Sequence, residues 1–435
     1  MNSSTFNTDR HGWAELLSPR QATQPFQGNH RAPWAVIGAG FTGLAAARRL
    51  AEIWPDQEIY LLDAREVGQG ASGRNSGFAV AISHFGSGLS KEEIRDYRRV
   101  NRINQAGLAL LRDRVQSDAL ACQWREQGFY HAAADEKARK ECAHFQRYLD
   151  ALEIEHSPLD ASDLAARLGT ETYQMGIHVA QGALVQPAAL VRALAETLPA
   201  NVHLFENSPV ERLDHGAPHR LVTSKGVLEA DKVLLATNFE APKLGFLNGR
   251  ISATTLSGSF TRVLTDEERK SLGSVSDWGV LSLHGGGATV RLTVDGRISL
   301  RNVAEYHGGH LLSDEQLKER QTTHRASFER RFPQLAHVPF EFAWSGVEGI
   351  SRNGTNFFGE VASNLYLAGG YNGSGVSRGT AFGHALADFA SGTESDLASD
   401  CLASKPASWI PPRPLLDIGA YFTIRQRFKG VGLDR

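Results

Sequence analysis

Residues 34–79 read WAVIGAGFTGLAAARRLAEIWPDQEIYLLDAREVGQGASGRNSGFA. The apolar run 34–37 has the length and composition of a buried strand. Gly38, Gly40 and Gly43 follow at dinucleotide-binding spacing, and an Ala/Leu/Arg segment free of Gly and Pro until Pro55 predicts a helix. A second apolar run, 59–62, ends on Asp63. Gly38 suits a tight turn, Gly40 a close approach of backbone to a pyrophosphate, and Gly43 close packing of helix on strand. The helix start at Phe41 and Thr42 aims unpaired N–H groups and the positive end of its dipole at phosphate. Asp63, twenty residues beyond Gly43, stands where a carboxylate accepts hydrogen bonds from ribose hydroxyls, with Ala64 and Arg65 beside it.

Such a unit is common to NAD and FAD proteins. The next segment separates them. Residues 68–77, GQGASGRNSG, form a second glycine-rich polar loop directly after the ribose carboxylate. FAD, with its diphosphate and ribityl chain, has use for such a loop. Gly70, Ala71, Ser72, Arg74, Asn75 and Ser76 are its candidate contacts. The alternative is a plain surface loop.

Together, GAGFTG, the acidic strand end and GASGRNSG resemble the FAD-dependent D-amino-acid-oxidase-like superfamily. The Arg-Asn form of the loop is most similar to gamma-glutamylputrescine and pipecolate oxidases. The resemblance implies an α/β fold, with a Rossmann-like, glutathione-reductase-type FAD-binding domain and an antiparallel-sheet substrate domain. Residues 34–85, 180–245 and 343–400 would form the first, and 86–179 and 246–342 the second. Residues 1–33 would be an extended arm and 401–435 a tail.

The 435 residues of the chain carry 46 Lys and Arg against 48 Asp and Glu, a net charge of −2. This balance leaves no electrostatic footprint for nucleic acid or an anionic membrane. Cys122, Cys142 and Cys401 are widely spaced, without metal-ligand intervals, so neither a disulfide framework nor a metal site is expected. No apolar run is long enough to span a bilayer, the N-terminus does not read as a signal peptide, and a cytoplasmic protein is expected. In the arm, Trp13 of the triplet His11-Gly12-Trp13 is expected in a core. Residues 91–163 turn helical and charged, with a stripe of Ile94, Tyr97, Val100, Ile103, Leu108 and Leu111 for one face. Residues 127–132 are the candidate first strand of the second domain.

Pro187 predicts a helix start, and 202–238 a succession of short strands ending in a small-residue turn. By resemblance, Val210 would meet the adenine and Ala236 and Thr237 the diphosphate region. Alternation across 242–342 predicts antiparallel strands, with a hairpin turn at Asp295-Gly296. The resembled oxidases carry a substrate-binding arginine before such a turn. Arg291 is the nearest match, a guanidinium being a bidentate and permanent carboxylate clamp; the alternative is an arginine on a solvent face. His284 and Arg301 are further candidates. In 364–392 a strand, a glycine loop and a helix follow one another. The resemblance places Gly370, Asn372, Gly373, Ser374, Gly375 and Val376 at the pyrimidine end of the flavin. Ser377, with Arg378 beside it, stands where sarcosine oxidase has a substrate-binding lysine. Residues 342–358 hold no cysteine where sarcosine oxidases tether their cofactor, so noncovalent FAD is expected.

The implied activity is oxidation of the C–N bond of an amine or amino acid by hydride transfer to flavin. It gives an imine, with molecular oxygen as acceptor and hydrogen peroxide as product. A dehydrogenase with another acceptor, an NAD(P)H-fed monooxygenase and a flavin-binding subunit of a larger complex are the alternatives. The tail segment 421–430 is expected to form a helix that docks on its own domain, on a second subunit or on a membrane surface.

Overall fold

A computed structural model describes residues 11–83, 88–284 and 286–435; residues 1–10 of the expected arm lie outside this range. After the short α1 (Gly12–Glu15), the nucleotide unit forms as β1 (Gly28–Ile37), α2 (Phe41–Ile53) and β2 (Ile59–Leu62). The polar loop contributes α3 (Ala71–Arg74) and leads to β3 (Phe78–Val80). A Ser90–Glu93 capping box then opens the long α4 (Lys91–Ser117). Next come β4 (Phe129–Ala133), α5 (Glu136–Ala151), β5 (Ser157–Asp160), α6 (Ala161–Leu168) and β6 (Met175–Val179). The chain returns through β7 (Gly182–Leu184) and α7 (Pro187–Glu196), which has proline in its first turn and Gln186 as side-chain cap. Then follow β8 (Val202–Phe205), β9 (Arg212–Asp214), β10 (His219–Thr223) and β11 (Gly226–Leu235).

The substrate-side strands are β12 (Ile251–Thr261), β13 (Trp278–Ser282), β14 (Thr289–Leu292) and β15 (Ile298–Glu305). The predicted hairpin turn between the last two has Gly296 at φ 81°, a left-handed conformation that glycine adopts freely. α8 (Asp266–Lys270) lies inside this run, and α9 (Asp314–Arg331) and β16 (Phe340–Ser351) follow it. The chain closes with β17 (Phe357–Ala362), β18 (Leu365–Gly369), α10 (Ser377–Ser391), α11 (Asp396–Leu402) and α12 (Leu415–Lys429).

Two sheets organise the molecule. The first runs β17-β18-β11-β1-β2-β8, with β18, β11, β1, β2 and β8 mutually parallel and β10 and β9 appended to β11. Ile37 is in register with both Leu62 and Leu235, so Gly38, Asp63 and Ala236 emerge side by side at one carboxyl edge. In an open parallel sheet this edge is where ligands bind. The second sheet runs β16-β12-β15-β14-β13-β4-β6-β5 and is largely antiparallel.

Three expected boundaries move. The arm ends earlier than residue 33, because residues 28–32 already pair with residues 226–230 as the first half of β1. β16 belongs to the second sheet through its ladder with β12, so 343–351 are not part of the nucleotide domain. α4, expected in the substrate domain, buries Ile103, Leu108 and Leu111 in the same core as β1 and α2. It can do so because Gly107 lies against α10, where a Cβ would come 1.8 Å from the Ser377 carbonyl oxygen. Trp13 is buried as expected, 4.6 Å from Phe260 and 6.4 Å from Trp344 between ring centroids. In the tail, Leu415, Ile418, Tyr421 and Phe422 of α12 are exposed, while Asp434 beyond it accepts from Ala134 N and Ser282 Oγ of the second sheet.

Two glycine-to-alanine changes separate packing from helix propensity. Gly107→Ala is expected to destabilise the protein by about 1–3 kcal/mol through overpacking. Gly419→Ala, on open α12 with no neighbour within 4 Å, should stabilise it by a fraction of a kcal/mol. Urea unfolding of both variants measures the contrast.

Candidate active site

The nucleotide turn is built by backbone contact. A Cβ on Gly43 would lie 1.7 Å from the Gly38 carbonyl oxygen, and one on Gly40 would lie 2.7 Å from Ser72 Oγ. Gly38 itself has φ 102° and donates its N–H to the Leu62 carbonyl at 2.8 Å. The side chains of Phe41 and Thr42 turn inward: Phe41 is buried in the core, and Thr42 Oγ1 donates to the Tyr371 hydroxyl at 2.8 Å. What they offer a phosphate is therefore their backbone at the helix start, where N–H groups have no intrahelical partner. Phe41 N is held by Ser72 Oγ at 3.0 Å, which ties the first loop to the second.

Asp63 accepts from Ala39 N at 2.7 Å and Arg65 N at 2.9 Å, one bond on each oxygen. Burial lifts its carboxyl to about 6, against the pull of those two N–H groups. Ala64 and Arg65 are exposed beside it. Ser208 N donates to the Asp63 carbonyl at 2.7 Å, bringing the segment with Val210 to the same strand end; Val210 precedes β9 rather than ending a strand. Ala236 N donates to the Ile37 carbonyl, and the neighbouring Thr237 hydroxyl is buried without a hydrogen-bond partner. An orphaned hydroxyl at this edge, with the glycine cradle and Asp63, fits FAD as the group that these residues hold.

The second loop departs from its expected role in part. Gly70 and Ala71 open α3 at the surface. The Arg74 guanidinium, expected on the cofactor, is buried and donates to Gln69 O at 2.8 Å and Ser345 O at 3.0 Å, fastening α3 to β16. Asn75 is likewise turned inward: its amide donates to Ser72 O at 2.8 Å and its oxygen accepts Gly77 N at 2.9 Å. Ser76 offers its carbonyl to Arg291.

The third loop is pinned by Asn372. Its side chain accepts Ser351 N at 2.9 Å and donates to Gly370 O at 2.6 Å, so this side chain shapes the loop and does not point out of it. Gly370 and Gly373 have φ 72° and 89°, and Ser374, Gly375 and Val376 lead into α10. Ser377 and Arg378 lie in the first turn of α10, and the Ser377 hydroxyl has no hydrogen-bond partner. Both are buried, and Arg378 donates to Asn104 Oδ1 at 2.9 Å and Ser83 Oγ at 2.8 Å.

Arg291 requires the clearest correction. It is buried, with Nη1 donating to the carbonyls of Val185 at 2.6 Å, Gly77 at 3.2 Å and Ser76 at 3.3 Å. Its guanidinium lies 5.2 Å from the Trp13 ring centre, and burial lowers its pKa to about 10. Its Nη1 ties the sheet to β7 and the second loop, while its Nε is buried without a hydrogen-bond partner. Arg301 shares that face and bonds Thr289, while His284 accepts Gly286 N within its own turn. In β16, Trp344, Gly346 and Glu348 share one face by strand alternation. A Cβ on Gly346 would lie 3.2 Å from Arg74 Cβ, and one on Gly373 would lie 3.5 Å from Glu348 Oε2. This face thus runs from the second cofactor loop to the third.

A parallel sheet with the dinucleotide turn and ribose carboxylate at its edge, joined to an antiparallel sheet along both further loops, defines a two-domain flavin-dependent oxidoreductase. The chain belongs to the DAO family of FAD dependent oxidoreductases, whose model matches residues 33–389. Among relatives, it is 25% identical to the gamma-glutamylputrescine oxidoreductase of Escherichia coli strain K12, over 90% of this chain and 92% of that one. It is also 25% identical to the probable oxidoreductase OrdL of Haemophilus influenzae, over 83% and 84% of the two chains. Glycine oxidase from Geobacillus kaustophilus has the same fold, with a TM-score of 0.72 at 19% identity over 86% of this chain and 99% of that one. L-amino acid deaminase from Proteus myxofaciens gives 0.69 at 16% identity, over 88% and 94%. Among the described residues, no helix is long and apolar enough to cross a membrane, and no cluster of His, Cys, Asp and Glu suits a metal ion.

The raised carboxyl of Asp63 sets a pH dependence. Its folded value of about 6 exceeds the ordinary ~3.9, so this group costs the cofactor-free protein stability as pH rises from about 4 to about 6. Ribose hydroxyls bond the charged form, so FAD affinity should rise over that interval and fall again on acidification. Titrating cofactor-free protein with FAD at pH 5, 6 and 7.5 checks this. Asp63→Asn should flatten the profile and weaken binding roughly 10–100-fold at pH 7.5, the size of a lost charged hydrogen bond.

Proposed function

We propose that this oxidoreductase acts on the C–N bond of an amine or amino acid. The carbon loses hydride and the nitrogen a proton, giving an imine that water hydrolyses. When bound, FAD supplies the ring that accepts the hydride, and molecular oxygen would take the electrons onward to hydrogen peroxide. The observation that carries this reading is the arrangement of β16 against both inner cofactor loops. One face of the second sheet lies against the loops proposed to hold the flavin, which supports the reading. The chain's own part is to bind, orient and desolvate the substrate; the α10 start favours negative charge developing close by. The names of the relatives and of the structures sharing the fold, which include an amine oxidoreductase, an amino-acid oxidase and deaminases, support this class. L-proline dehydrogenase from P.horikoshii shares the fold with a TM-score of 0.67, which keeps a non-oxygen acceptor as the second reading.

The cofactor is proposed to be noncovalent. All three cysteines are buried, and burial raises each thiol well above its ordinary pKa, Cys122 to about 11 and Cys142 to about 12, so none is a ready nucleophile. Three buried free thiols also suit a reducing cytoplasm.

Anaerobic titration of the yellow protein with amines and amino acids should bleach the flavin, and air should restore it with release of peroxide. Bleaching without oxygen recovery would select the dehydrogenase reading, and bleaching by NADPH alone would overturn C–N oxidation. Acid precipitation should leave all the flavin in the supernatant.

A further inference from the structure

The large apolar side chains that the fold leaves in solvent gather at one place. Among the described residues, Trp409, Leu415, Ile418, Tyr421 and Phe422 are the large hydrophobics more than half exposed, at 54–63%. All belong to α12 or to the segment leading into it. Such groups scattered singly need no explanation, but a cluster marks a surface that something covers.

α12 is apolar on two opposite sides. Leu416, Ala420, Ile424 and Phe428, spaced four apart, are half-buried against the protein, and a Cβ on Gly286 would lie 3.3 Å from the Phe428 ring. Leu415, Ile418 and Phe422 fall at spacings of three and four on the other side. Arg425 and Lys429, both exposed, continue that line to the helix end. The outer face therefore passes from apolar in its first two turns to basic in its last. The one acid of α12, Asp417, lies 3.2 Å from Arg413 Nε and is taken by that pair. A further cation, Lys137 of α5, stands at the basic end and donates to the Gly430 carbonyl at 3.1 Å.

Both ends of the helix are fastened. Before it, Arg413 Nη2 donates to the Tyr306 hydroxyl at 3.1 Å. Beyond it, Val431 is buried and Asp434 accepts Ala134 N at 3.1 Å. The outer face is thus a fixed feature of the surface.

A second copy of the chain is a poor cover for it. Antiparallel pairing of two such faces sets Arg425 and Lys429 against Leu415 and Ile418, and parallel pairing sets one basic end against the other. Either leaves the cations without a counter-charge. A lipid surface answers both parts of the face. The acyl boundary takes Leu415, Ile418 and Phe422, the rings of Trp409 and Tyr421 suit the headgroup level, and lipid phosphate meets Arg425 and Lys429. Fifteen helical residues rise about 22 Å, short of a hydrocarbon core of about 30 Å, so the helix would lie in the interface and not cross it. The near-neutral total charge does not oppose this, because screening over about 10 Å makes the local pattern decisive.

We infer that α12 docks the protein on the surface of an anionic phospholipid bilayer, with its apolar outer turns inserted and its basic end on the headgroups. The inference is independent of the reaction proposed above.

The test mixes holoprotein with vesicles of phosphatidylcholine, alone or with part of it replaced by phosphatidylglycerol, and reads bound protein by sedimentation. Partition onto the anionic vesicles should be roughly tenfold stronger or more, and high salt should remove that difference. Acyl-brominated lipid should quench a component of the fluorescence that is missing in Trp409→Phe. Ile418→Ser combined with Phe422→Ser should abolish binding to both vesicles. Arg425→Glu combined with Lys429→Glu should bring anionic binding down to the neutral level. FAD content and the thermal midpoint of each variant report its folding. Wild-type protein that stays in the supernatant with anionic vesicles, or binding unchanged by the paired serine substitutions, would overturn the inference. So would a stable dimer that those serines dissociate, which would give the face to a second copy.

Discussion

The structure depends on one backbone contact, the seating of α2 on the turn after β1. With no side chain at Gly43, the helix comes down onto the Gly38 carbonyl at a distance where a Cβ would stand 1.7 Å from that oxygen. The same compactness is repeated on the other side of the helix, where a Cβ on Gly383 of α10 would meet the Thr42 carbonyl at 2.0 Å. α4 then closes on α10 through Gly107. Three helices are thus stacked by missing side chains, and the stack fixes where the starts of α2 and α10 point. Both starts face cofactor-binding loops, so the electrostatics of the site are a product of helix packing.

The second determinant is the use of arginine as a backbone clamp. Arg291 gathers the carbonyls of Val185, Gly77 and Ser76 onto β14, and Arg331 holds the chain terminus through the Asp434 carbonyl at 2.8 Å. Arg74 does the same between α3 and β16. A planar guanidinium with five donors suits this work better than lysine does. Buried carbonyls need donors, and these residues supply them at junctions between elements.

Much of the nucleotide half was legible because its signals are local: glycine spacing, a strand on either side, an acidic terminus. The hairpin at Asp295-Gly296, the proline start of α7 and the burial of Trp13 were legible for the same reason, each resting on a few adjacent residues. The role of Arg291 was not. Alternation says that a residue points to one face or the other, and which face meets Trp13 depends on contacts between residues 13 and 291. Gly107 did carry a signal: a glycine inside a charged helix marks a close approach, and it would have moved α4 out of the substrate domain.

The arm and β16 together explain how one strand joins the second sheet to the cofactor loops. At one end, Trp344 packs with Trp13 and Phe260, and Gln186 of the nucleotide side donates to the Trp13 carbonyl at 2.7 Å. Large rings interlocked with a hydrogen-bonded arm make that end a rigid weld between the two sheets. Gly346, without a side chain, follows on the same face, and Glu348 then meets Gly373. Size therefore falls and polarity rises along a single strand face, from the weld to the flavin loops. A rigid joint at one end of the strand holds the rest of it in a fixed position relative to the cofactor loops.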